Sequence, residues 1–129
     1  MRDELLELLS RYPDITDESF DLDEWLAGPN KVYQAGPDYG MFTKLGDGAY
    51  EGHYVFTSRW KEALASAKDI LRQAFDDDAL LILGAVPEWN KPSVWITRKL
   101  GFSFVSVIDI NIDDEPYHLF IMTKADFNG

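Results

Sequence analysis

The 129-residue chain contains no cysteine. This excludes a disulfide framework, a thiol nucleophile and a thiolate metal site, and it fits an intracellular setting. Positive charge is also scarce, with 12 Lys and Arg against 23 Asp and Glu for a formal net charge of -11. Such a field repels phosphate, and no stretch concentrates enough basic residues to overcome it, so no nucleic-acid partner is expected. An amine or a lysine-bearing peptide would be attracted instead, although acidity also serves solubility. No apolar run approaches the roughly 20 residues that a membrane-spanning helix needs, and Met1 to Glu4 does not open a basic-then-apolar leader. The expectation is a cytoplasmic protein without a membrane partner.

What the chain has is apolar and aromatic content, 46% and 14%, far above the range in which chains stay disordered. Its length suits one continuous core, so residues 1–129 are read as a single domain.

Leu5, Leu6, Leu8, Leu9 and Tyr12 recur at helical spacing behind Asp3 and Glu4, and Pro13 ends the run. Asp21 to Leu26 reads as a short second helix. Lys31 to Gln34 and Gly40 to Lys44 are short strands around the Gly36-Pro37-Asp38 turn, and Gly46-Asp47-Gly48 closes a hairpin into Ala49 to Phe56. That last strand places Tyr50, Tyr54 and Phe56 on one face and Glu51, His53 and Val55 on the other. Ser58 reads as the N-cap of a long helix ending near Phe75, with Trp60, Leu64, Ala67, Leu71 and Phe75 on one stripe. Asp76, Asp77 and Asp78 end it as a solvated turn.

Ala79 to Val86 is a continuous apolar run of strand length, as for a strand buried on both faces. A helix between two neighbouring strands implies a parallel pair. Pro92 and Gly101 bracket a helix from about Lys91 to Leu100. Phe102 to Ile110 and Tyr117 to Thr123 form a closing hairpin around a turn containing Asp113 and Asp114. The aspartate runs lack the spaced calcium-loop pattern with its glycine, so no metal site is expected. Trp25, Trp60, Trp89 and Trp95 read as core or groove packing rather than a base-stacking platform.

A helix that directly follows a strand offers unpaired N–H groups and a positive dipole end to an anion, and Arg59 and Lys61 would add charge there. The same residues also fit a plain N-cap and a solvated arginine.

The order of elements, and above all the segment P-E-W-N-K-P-S-V-W-I-T-R-K-L-G-F from Pro87 to Phe102, resembles the GNAT superfamily of N-acetyltransferases. The short length and the H-Y-V-F-T-S-R and V-P-E-W-N-K stretches resemble the short acetyltransferase-like proteins of tailed bacteriophages, which would place the protein in a host cytoplasm. The resemblance implies an α/β (α+β) fold: a mixed, mostly antiparallel sheet of six or seven strands flanked by helices, with a parallel central pair splayed at an acyl-CoA site. It implies acetyl-CoA as cosubstrate and a primary amine of a small molecule or protein as acceptor. Val55, Phe56, Thr57, Ser58, Arg59, Trp60 and Lys61 would form the cofactor cradle, with Asn90 beside the pantetheine arm.

Two departures from the family pattern stand out. Arg59-Trp60-Lys61-Glu62-Ala63 keeps only the initial basic and the final small residue of the usual glycine-rich phosphate loop, and Thr97 stands where many members carry a proton-donating tyrosine. The acceptor amine must lose a proton, and His53 with Glu51, two residues apart on one strand face, are the catalytic candidates. His53 equally fits a strand residue satisfied by a neighbour. The alternative to an enzyme is a GNAT-like module that binds or assembles without catalysis. A homodimer through an exposed final hairpin is also expected.

Overall fold

The structure is a computed structural model describing residues 2–11, 20–109 and 116–127. Six strands form one sheet in the order β1-β2-β3-β4-β6-β5, with β1 Lys31–Ala35, β2 Asp38–Gly46, β3 Ala49–Val55, β4 Leu81–Pro87, β5 Ser103–Asp109 and β6 Pro116–Thr123. All neighbours are antiparallel except β3 and β4, the expected parallel pair. The helices are α1 Arg2–Leu9, α2 Leu22–Ala27, α3 Trp60–Asp77 and α4 Lys91–Lys99.

Strand alternation gives the sheet two apolar faces. One packs Phe42, Tyr50, Ile82 and Phe120 against Ala63, Ala67, Ile70, Leu71, Ala74 and Phe75 of α3 and Ile96 of α4. The other packs Tyr39, Met41 and Val55 against Leu5, Leu8 and Leu9 of α1 and Leu22 of α2. Each fully buried Leu or Ile contributes about 1.5–3 kcal/mol, so the amphipathic stripe of α3 is a principal anchor. The helix sits close to the sheet because Gly40 lies beneath it: a Cβ there would fall 2.4 Å from Ile70 Cγ2.

Three sequence expectations change. Helix α3 begins at Trp60, not Ser58, and Trp60 is exposed rather than part of the buried stripe. Asp77 and Asp78 are not merely solvated: Tyr33 donates to Asp77 Oδ2 at 2.7 Å and Tyr50 donates to Asp78 Oδ1 at 2.8 Å, tying the end of α3 to β1 and β3. The first helix ends at Leu9. Tyr12, expected as its last apolar position, Pro13, expected to end it, and the Asp113-Asp114 turn lie outside the described residues.

Candidate active site

The parallel pair is short. Only Ala49, Tyr50 and Glu51 of β3 register with Leu81, Ile82 and Leu83 of β4. Beyond them each strand follows its antiparallel partner, β3 with β2 as far as Val55 and β4 with β6 as far as Pro87. The facing edges of β3 after Glu51 and β4 after Leu83 therefore lose their ladder partners, and a slot of about 60 Å³ opens between them. His53 and Tyr54 from β3, Gly84 and Val86 from β4, and Ser93 and Thr97 from α4 are among its walls. A Cβ on Gly84 would meet nothing within 4 Å. The slot shares Tyr54, Phe56, Asn90, Ser93 and Ile96 with a wider chamber of about 510 Å³ bounded by the β3–α3 loop.

That loop is held from behind by a residue the sequence reading treated only as turn chemistry. Asp38, fully buried, accepts the backbone N–H of Thr57 at 2.7 Å and of Ser58 at 3.0 Å on Oδ1. Its Oδ2 has no hydrogen-bond partner. Burial pushes the Asp38 carboxyl up, but hydrogen bonding, with the N–H groups of Ser58 and Thr57 among the donors, outweighs it and holds the group below the usual carboxylate range. Ser58 is thus not the N-cap of α3. Arg59 is, and it makes no side-chain cap bond. The N–H groups of Thr57 and Ser58, just ahead of α3, are thus already engaged by the protein's own carboxylate. At the helix start proper, Glu62 and Ala63 donate back to Arg59 O, whereas Trp60 and Lys61, as first-turn residues, have no carbonyl one turn back to receive their N–H groups.

Trp60 has φ +49°, the sole positive φ outside glycine among the described residues. For a bulky side chain this costs on the order of 1–3 kcal/mol. The residue is 60% exposed, and its ring meets Trp95 of α4 edge to face, with centroids 5.4 Å apart.

Of the expected cradle residues, Phe56, Thr57, Ser58, Arg59, Trp60 and Asn90 line the chamber. The Asn90 side chain also caps α4 by accepting Ser93 N–H at 3.3 Å. Lys61 is exposed on α3 and is not among the lining residues. The side chain of Val55 is buried on the opposite face of the sheet, in the α1–α2 cluster, and Val55 lines neither cavity. Arg11, which no sequence signal singled out, joins Arg59 in the chamber wall, and among the described residues no Asp or Glu lines it.

Glu51 and His53 meet, with Glu51 Oε1 2.9 Å from His53 Nε2. Hydrogen bonding from His53 holds the Glu51 carboxyl below its usual range. An ionised carboxylate only accepts, so Nε2 carries the proton of this bond and the neutral ring keeps its lone pair on Nδ1. Tyr54, on the strand face opposite Glu51 and His53, walls both slot and chamber, and its buried hydroxyl has no partner. Burial pushes that phenol far up, so it is neutral and a donor. The Thr97 hydroxyl is already engaged, donating to Ser93 O at 2.7 Å. Among the described residues no group of three or more metal-ligating side chains converges.

A CoA thioester asks for a slot with unladdered backbone, a chamber of nucleotide size and cations in its wall. The residues present meet all three, with the N–H groups of Thr57 and Ser58 already engaged by Asp38.

No family model matches the sequence, and no curated protein matches it. Solved structures do. A GNAT-family acetyltransferase from Bacillus anthracis superposes with a TM-score of 0.60 at 18% identity, covering 68% of this chain and 58% of its own. A GNAT-family protein from Chromobacterium violaceum gives 0.65 at 18% identity, covering 81% and 65%. A GNAT-superfamily phosphinothricin acetyltransferase from Sinorhizobium meliloti, in complex with acetyl-CoA, gives 0.56 at 10% identity, covering 67% and 53%. This chain therefore has the GNAT fold, the mixed and mostly antiparallel sheet anticipated from the sequence. It spans little more than half to two thirds of the length of these structures.

Proposed function

We propose that residues 1–129 form one acyltransferase domain that uses acyl-CoA, with acetyl-CoA as the favoured donor, to acylate a primary amine of a small molecule or protein in the cytoplasm. One observation carries the reading: the gap between β3 and β4 opens into a chamber whose described lining includes Arg11 and Arg59 and no carboxylate, in a protein of net charge -11. A wall of that kind favours an anion where the rest of the molecule repels it. Phe56, Thr57, Ser58, Arg59, Trp60 and Asn90, with the backbone of Val55 and the charge of Lys61, would hold the cosubstrate, which supplies an activated acyl group.

The chain's own chemistry is modest. An amine converted to an amide gives up a proton, and His53 Nδ1 takes it, directly or through a water, while Glu51 fixes the tautomer. Glu51 lies about half-buried beside the slot and also attracts a cationic acceptor. The exposed Phe104, Val105 and Val107 on edge strand β5 fit the expected homodimer, as sedimentation would reveal. The likeness in length and motif to short phage proteins belongs to the same reading.

A second reading, a binding or assembly module without catalysis, is favoured by the Asp38 carboxylate on the Thr57 and Ser58 N–H groups and by Trp60 within the loop. Melting in millimolar acetyl-CoA, followed by CoA release over a panel of amines, separates them. A ligand that binds only the folded state raises the melting temperature. A rise with amine-dependent CoA release supports the enzyme, and no shift supports the module.

A further inference from the structure

Trp60 is held in a left-handed backbone conformation that glycine or asparagine would adopt with little strain. Burial does not offset this strain, because the residue is more than half exposed. The ring nevertheless has a defined place, against Trp95 of α4 at an interplanar angle of 83°. In an edge-to-face pair each ring keeps at least one face uncovered by the other. Trp60 lines the chamber together with Arg11 and Arg59, and Lys99 Nζ lies 5.9 Å from the Trp95 ring centroid. Strain, exposure, an aromatic face left uncovered by Trp95 and the cations Arg11 and Arg59 thus converge in the wall of a chamber of nucleotide size.

We propose that Trp60, braced by Trp95, is a stacking surface for a planar nitrogenous base, the adenine at the nucleotide end of the acyl donor. This rests on the acyl-CoA reading and adds a recognition element to it. Base stacking on an exposed aromatic needs no sequence of hydrogen bonds and is favoured next to cations, which bind the attached phosphates. It also replaces part of what the loop lacks, since Asp38 already engages two of its N–H groups.

The test is calorimetric titration of wild type, Trp60→Gly and Trp60→Phe with three probes: CoA, adenosine 3′,5′-bisphosphate and S-acetylpantetheine, which lacks the nucleotide. Trp60→Gly is expected to weaken CoA and the bisphosphate by about tenfold or more, leave acetylpantetheine unchanged, and melt at or above the wild-type temperature because the strain is relieved. Trp60→Phe is expected to retain most of the affinity. Equal weakening of all three probes, unchanged CoA binding, or tighter CoA binding in Trp60→Gly would each overturn the proposal. If wild type binds no CoA, the acyl-CoA reading fails. The stacking surface then stands if the bisphosphate alone binds in a Trp60-dependent way, and falls if it does not.

Discussion

Asp38 Oδ1 accepts the backbone N–H of Ser58 at 3.0 Å across 20 residues of sequence, so the β1–β2 turn fixes the loop that opens α3. Removing the carboxylate leaves the Ser58 and Thr57 N–H groups without a charged acceptor. Asp38→Ala is expected to cost about 1.5–3 kcal/mol, read as a lower urea midpoint.

The pH dependence has a defined sign. Asp38, Glu51 and Asp77 all have carboxyl pKa values lowered by folding, so their contribution is present above the ordinary carboxylate range and is lost as pH falls through their folded values. Tyr33, Tyr39, Tyr50 and Tyr54 have phenols raised by folding, chiefly through burial. Their contribution is present below about pH 10 and is lost as pH rises beyond it. Denaturant midpoints should form a plateau through neutrality and fall at both extremes, and Asp38→Asn should flatten the acid limb.

Arg59 is the cation of the chamber wall nearest the start of α3. Arg59→Glu is expected to weaken CoA by about 1–3 kcal/mol, the scale of one charge-assisted hydrogen bond. An unchanged dissociation constant would move the phosphates elsewhere.

His53→Ala is expected to lower turnover about a hundredfold while leaving CoA affinity nearly intact, because positioned bases act on that scale. Glu51→Gln, which keeps the shape but not the charge, should give a smaller loss in turnover. Wild-type turnover in His53→Ala would remove the histidine from the mechanism.

Tyr54 gives a test in which stability and function diverge. Deleting its buried, unpartnered hydroxyl as Tyr54→Phe is expected to stabilise the unliganded protein by about 1 kcal/mol. The same change should weaken ligand binding in the slot. Thermal melting and titration of one preparation measure both.

Much of the fold was legible because it is written in periodicity: the alternation of Tyr50, Tyr54 and Phe56 against Glu51, His53 and Val55, the buried face of α3 through Ala67, Leu71 and Phe75, and the apolar run of β4. These are local patterns that burial enforces. Ser58 misled because a serine before a helical run is a common N-cap, whereas here a carboxylate 20 residues upstream takes its N–H. Trp60 misled because its spacing matched the stripe, but a single positive φ at the first turn turns the ring outward. Arg11 and the unpartnered Tyr54 hydroxyl depend on how distant elements meet around a cavity, and no spacing encodes that.

The three-residue register between β3 and β4 has a mechanical consequence. Two three-stranded blades are sewn together along a seam of six residues, reinforced at its base where Gly48 O receives the N–H of Leu80 and Leu81 at 2.7 and 3.0 Å. Amides on the facing edges beyond Glu51 and Leu83 lack rungs and should exchange with solvent before those of the seam. A molecule lodged in the gap supplies the missing rungs, so occupancy should make the two blades unzip as one unit where the empty protein parts along its seam.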